Sequence, residues 1–177
     1  MNNELITKLE EIRKKQLLEI HLVNEAVSIS SSPPTRTAGF YWIYTSYSME
    51  ELKQAKPGSN NSSIDISKLA KLHCGLKNIH NELQDDFSVV YNGIASKSTG
   101  LKERLHQHIN GYEGTGSLSI LKSSLDDLTK WRISYVIIDD NGKNSYDDCI
   151  EINYDNDAHD LERMWRLHYG WPLLCQK

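Results

Sequence analysis

The sequence predicts an α/β domain: a small, mainly antiparallel sheet flanked by helices. Three observations carry this expectation. Residues 40–45 (FYWIYT), 87–95 (FSVVYNGIA) and 131–138 (WRISYVII) have the aromatic and β-branched composition of strands. Stripes at helical spacing lie between and around them, at Leu5, Leu9, Ile12, Gln16 and Ile20, at Ile66, Leu69, Leu72, Leu76, Ile79 and Leu83, and at Leu101, Leu105 and Ile109. Asp140-Asn141-Gly142-Lys143 has the chemistry of a two-residue hairpin turn, so residues 145–154 are expected to return antiparallel to the strand before them.

Taken in order, residues 3–27 read as one amphipathic helix with Lys8, Arg13, Lys14 and Lys15 off its apolar face, ended by Ser-Ser-Ser-Pro-Pro-Thr at 30–35. Gly39 precedes the first strand. Ser48, with Glu50 and Glu51 after it, caps a short helix that stops before Pro57-Gly58. The polar turn at 58–63 leads into a helix over 66–83, and the second strand follows. Ser98 or Thr99 caps a helix to Ile109, and a short helix is expected around 118–128. Asp157 caps a last helix over 158–169, closed by Gly170.

The 177 residues are 38% hydrophobic and 25% charged, enough for one well-filled core. No apolar run approaches the roughly 18 residues that a membrane-spanning helix needs. Cys74, Cys149 and Cys175 form no C-x-x-C pair, and the first residues lack an export pattern, so a reduced, cytoplasmic setting is expected. The net charge of −4 excludes a strongly basic nucleic-acid binder. The acidity is concentrated, however. Residues 139–160 hold eight carboxylates against Lys143, so the rest of the chain is net positive and can still meet a polyanion.

Single candidates are weak by themselves: a strand tyrosine usually packs, and a helical arginine is usually solvated. Their order changes this. Gly39-Phe40-Tyr41, Tyr91-Asn92-Gly93, Arg104 eleven residues beyond Gly93, His108 four later, Glu162 and Pro172-Leu173-Leu174 together resemble the GIY-YIG nuclease family. The resemblance implies a DNA endonuclease that hydrolyses phosphodiester bonds with Mg²⁺ or Mn²⁺, a site-specific restriction enzyme being the preferred branch. It implies that Tyr41 activates or positions the attacking water with Tyr91 beside it, that Arg104 donates to the scissile phosphate, that His108 relays a proton or holds a phosphate, and that Glu162 is the sole protein ligand of the metal. These residue types suit the chemistry, which needs a hard oxygen ligand for the ion and a fixed cationic fork for the phosphate.

The resemblance divides the chain into an N-terminal helical extension, 1–38, and a catalytic domain, 39–177, with a helical insertion at about 47–86. Lys68 and Lys71 on the insertion, with Lys97 and Lys102 before Arg104, are the expected DNA contacts. The insertion's apolar stripe also allows a homodimer. Three positions depart from the family pattern: Phe40, Asn92 in place of Ile, and Cys175 in place of a supporting Asn, unless Gln176 substitutes. The alternative of a different class is a catalytically silent module that binds nucleic acid or protein on the same fold.

Overall fold

The N-terminal stripe folds as a helix only as far as Lys14. The structure, a computed structural model, describes residues 3–57, 63–139 and 149–176. Helix α1 spans Asn3–Lys14, and the residues expected to prolong it form a hairpin instead, β1 (Leu18–Val23) and β2 (Ala26–Ile29). Leu18, Ile20 and Leu22 alternate with Glu19 and His21, a strand period overlaid on the helical one. Asn24 and Glu25 both take positive φ, 50° and 65°, as a two-residue hairpin turn requires.

Strand β3 (Gly39–Thr45) is buried along its whole length. Helix α2 (Met49–Lys53) begins at the expected Ser48, which forms a capping box with Glu51. Helix α3 (Ile66–His73) stops ten residues short of its predicted end. Gly75 adopts φ 83°, and Leu72 and Leu76 are exposed, so the stripe beyond the first turns is not a core face. Leu83 belongs instead to the short strand β4 (Leu83–Gln84), beside β5 (Phe87–Ala95). Helix α4 (Leu101–Asn110) starts after Gly100, which makes no side-chain cap bond, so neither Ser98 nor Thr99 caps it. The helix expected at 118–128 is two separate 3₁₀ turns, Ile120–Lys122 and Leu128–Lys130. Ser123 bonds the Ile120 carbonyl and the Leu125 amide, drawing the backbone away from helix.

Strand β6 (Trp131–Asp139) matches expectation, but β7 (Cys149–Glu151) runs parallel to it, with Ile138 beside Ile150. The predicted return hairpin is thus corrected in direction, and its turn lies outside the described residues. Ile150 and Ile152 join Val136 and Ile138 in one apolar cluster, which fixes the pairing. Helix α5 (Tyr154–Tyr169) starts one turn earlier than predicted, because Asn153 and not Asp157 caps it.

The seven strands form one sheet in the order β2-β1-β6-β3-β5-β4, and β7 pairs with the far end of β6. Every pairing except β6 with β7 is antiparallel. Phe40, Trp42 and Tyr44 pack against α1 and α5, whereas Tyr41 and Ile43 pack on the side of α2, α3 and α4. Between β3 and β5 the register slips: Ile43 faces Tyr91 while Tyr44 faces Val89. Val90 is the extra residue of a β-bulge, and it turns Tyr91 to the same face as Tyr41. The outer edge of β5 is covered by the C-terminal tail, where Leu174 donates to the Val90 carbonyl at 2.7 Å and the Asn92 amide meets Cys175 Sγ at 3.4 Å.

Candidate active site

Tyr41 lies at the centre of the α4 side of the sheet, 1% exposed. It needs a glycine beside it. Gly93 is its cross-strand neighbour, and a Cβ there would stand 2.6 Å from Tyr41 Cζ. The Tyr41 ring stacks near Tyr91 at 6.3 Å between centroids, and His108 lies 4.7 Å from the Tyr91 ring. Helix α4 carries Arg104 and His108 one turn apart, and both reach the same oxygen. Arg104 Nε donates to Tyr41 Oη at 3.2 Å, and His108 Nε2 lies 2.9 Å from it.

The Leu118 amide donates to His108 Nδ1 at 3.2 Å, which leaves Nε2 as the protonated nitrogen and a donor to Tyr41. Burial and Arg104 together hold the His108 pKa well below its ordinary value. His108 is therefore a neutral, fully enclosed imidazole behind Tyr41. Both nitrogens are committed, so it has no free donor for a phosphate.

Burial pushes the Tyr41 phenol well above its usual pKa; Tyr91 and Glu162 push the same way, and Arg104 pulls it down. Tyr91 rises for the same first reason, with Cys175 and Glu162 adding to it. Burial weakens the hold of Arg104 on its proton, but the Tyr41 and Tyr91 hydroxyls outweigh this and raise its pKa. The rest of the Arg104 fork is engaged: Nη1 donates to the Thr115 carbonyl at 2.6 Å and to Gln107 at 3.0 Å, and Nη2 to the Gly116 carbonyl at 3.3 Å.

Glu162 comes to the site from α5, on the other face of the sheet. It is near enough to raise both phenols, and its link to β5 runs through Arg166. Arg166 Nη2 donates to Glu162 Oε1 at 2.8 Å, and Arg166 Nε donates to Asn92 Oδ1 at 2.9 Å. Asn92, a departure in the sequence, is thus a satisfied buried amide. Cys175 is buried against it, with Sγ 3.4 Å from Asn92 Oδ1; burial pushes its thiol up to about 12, so it is a neutral packing group. A cavity of about 230 Å³ opens here, lined by Tyr91, Arg166, Cys175 and Gln176 on one side and Ser63, Ile64 and Gly116 on the other.

A family model described as the GIY-YIG catalytic domain matches residues 40–154. The chain belongs to this family. No curated protein and no solved structure matches the chain. The GIY-YIG match runs from β3 to the first residue of α5, so Glu162, Arg166 and Cys175 lie beyond it. Membership makes the chain a nuclease-type domain, and nucleases of this family act on DNA and generally use divalent metal ions.

Among the described residues no three His, Cys, Asp or Glu side chains cluster as a metal cage, and no helix is long and apolar enough to cross a membrane. A single-carboxylate site is still compatible with a GIY-YIG domain. Glu162 Oε2 carries no hydrogen bond among the described residues, while burial raises its carboxyl pKa against the pull of Arg166, His159 and Arg163. One free hard oxygen suits a magnesium ion that keeps most of its waters. Lys68 and Lys71 are exposed on α3, Lys97 is exposed after β5, and Lys102 is half-buried on α4; none lines the cavity.

The motif order joins Tyr41, Tyr91, Arg104 and His108, whereas Arg166, Gln107 and the 115–116 carbonyls belong to no part of it. The signal for Arg166 was its position four residues after Glu162, a spacing that usually marks a surface pair.

Proposed function

We propose that this chain is a Mg²⁺-dependent DNA endonuclease that hydrolyses phosphodiester bonds. The observation that supports this best is the convergence on Tyr41 Oη of Arg104 Nε and His108 Nε2, from residues far apart in the chain. Water attacks phosphorus, the bond to the bridging oxygen breaks, and the leaving oxygen takes a proton. With His108 and Arg104 donating to its oxygen, Tyr41 keeps its own proton to donate. It acts as a positioning phenol for the attacking water or a phosphate oxygen, and Tyr91 forms the adjoining wall. Arg104, which keeps its charge at every working pH, neutralises the phosphate. Glu162 would hold the ion, which supplies charge neutralisation and a more acidic bound water. Lys68, Lys71, Lys97 and Lys102 are proposed backbone contacts.

Plasmid nicking with Mg²⁺, with EDTA and with Glu162→Ala tests the reading. Metal-dependent nicking that survives in Glu162→Ala removes Glu162 from the site. The restriction branch, supported by the insertion beside the cavity, predicts toxicity in a host that lacks protective methylation and none in a methylated one.

One observation favours the silent module as a second reading. The Nη donors of Arg104 are spent on Thr115, Gly116 and Gln107, so a phosphate must displace them. Absence of cleavage on any DNA, with DNA binding retained, would establish it.

A further inference from the structure

Glu162 and Arg166 stand one turn apart on α5, and their ion pair is almost closed to water, with 11% of the Glu162 side chain and 8% of the Arg166 side chain exposed. An exposed pair at this spacing would contribute little. Here the guanidinium is also tied to another element. Besides its bond to Asn92 Oδ1, Arg166 directs Nη2 at the Asn92 carbonyl, 3.4 Å away; its carbon lies 4.8 Å from the Trp171 ring centre, and Cys175 Sγ is 3.8 Å from Nη2. Strand β5, helix α5 and the C-terminal tail therefore meet on one side chain. Only a planar fork does this, because Nε and Nη2 point at two acceptors at once. Asn92 and Cys175, both unexplained in the sequence, each touch this guanidinium.

We propose that Arg166 is the positioning residue of this site. It clamps Glu162 by one carboxylate oxygen against the strand that carries Tyr91, and so fixes where the carboxylate stands relative to the phenols while the other oxygen stays available. A carboxylate on a helix otherwise samples several rotamers, and a metal held by a single protein ligand depends on that ligand being held in turn. The functional consequence rests on the proposed role of Glu162 as the metal ligand.

Arg166→Lys keeps the positive charge but cannot hold Asn92 and Glu162 together, and Asn92→Ala removes the anchor on the strand while leaving the ion pair. Binding of Mn²⁺ to the DNA-free protein, followed by loss of the free-ion electron paramagnetic resonance signal, is expected to weaken roughly tenfold in both variants. On DNA, kcat is expected to fall with KM nearly unchanged. Mn²⁺ affinity equal to the parent's in both variants overturns the proposal. If Glu162→Gln binds Mn²⁺ as the parent does, the metal reading of Glu162 fails separately, and the clamp is judged on the ¹⁵N resonance of Arg166 Nε. A slowly exchanging Nε–H in the parent, released in Glu162→Gln and Asn92→Ala, supports the clamp. A freely exchanging one in the parent refutes it.

Discussion

Replacing Tyr41 with Phe deletes one oxygen and keeps the ring. That oxygen is the acceptor for two N–H donors, at 2.9 Å from His108 Nε2 and 3.2 Å from Arg104 Nε. His108 is fully buried, so its Nε2–H loses its only acceptor; Arg104 is half-exposed and recovers a water. At about 1–3 kcal/mol for one unsatisfied buried donor, the expected loss of stability is about 2 kcal/mol, or roughly 4–8 °C of melting temperature in a chain of this length. The rate should suffer far more, by about a hundredfold or greater, if the hydroxyl orients a reacting group. Tyr44 provides the control. It is equally buried, and its Oη meets Arg13 Nη1 and Ser134 Oγ, each at 2.8 Å, on the opposite face of the sheet. Tyr44→Phe should therefore lose a similar amount of stability and cleave as the parent does. The assay is plasmid cleavage beside calorimetric melting for both variants. If Tyr41→Phe cleaves within threefold of the parent while melting several degrees lower, Tyr41 is scaffold and the reasoning fails. A melting temperature identical to the parent's would refute the hydrogen-bond geometry itself.

Three further outcomes are expected. Gly93→Ala should push against the Tyr41 ring, costing about 1–3 kcal/mol and most of the activity, as read by melting and cleavage together. Arg104→Lys keeps the charge but loses the bonds to Tyr41 and to the Thr115 and Gly116 carbonyls; kcat/KM should fall about a hundredfold with melting within a few degrees, and a large melting loss would mark Arg104 as structural. His80 is buried with both ring nitrogens unpaired, and burial, aided by Arg13, lowers its pKa from 6.5 to about 4. The unfolded chain takes up this proton near pH 6.5 and the folded chain only near 4, so stability is whole above pH 6.5 and drains by about 3 kcal/mol as pH falls to 4. His80→Phe, which keeps an aromatic ring on Trp165, should flatten the melting curve across that window.

The sheet was legible where local chemistry and burial agree. The seven residues of β3 are apolar or small and wholly enclosed, so composition alone identifies them, and Ser48 with Glu51 fixes the start of α2 through a bond between near neighbours. The β1–β2 hairpin was not legible, because Gln16 and Ile20 continue the helical stripe in phase while Leu18, Ile20 and Leu22 also satisfy a strand. Which pattern prevails is decided by the edge of β6, a partner more than a hundred residues away. The direction of β7 was hidden for the same reason. In the site, motif order brought the four residues of β3, β5 and α4 together. It did not reveal that His108 is enclosed behind Tyr41, which depends on the Leu118 amide, nor that Glu162 is shared with Arg166, since the partner that buries that pair is Asn92. The doublet Val89-Val90 carried an unread signal: the two residues pack on opposite faces, and the alternation restarts after them.

That doublet bears on how the domain can be altered. Any apolar residue that fills the space of Val90 leaves the following tyrosine aimed as it is, and excising the position only straightens the strand, since Val89 and Tyr91 already stand on opposite faces across from Tyr44 and Ile43; one residue inserted before Tyr91 shifts every later side chain of β5 to the opposite face, moving Tyr91 away from Tyr41 and Asn92 away from its guanidinium. Substitution libraries should accordingly find this point permissive, while single-residue insertions there should be among the least tolerated in the chain. Its tolerance is governed by spacing, and only weakly by side-chain identity.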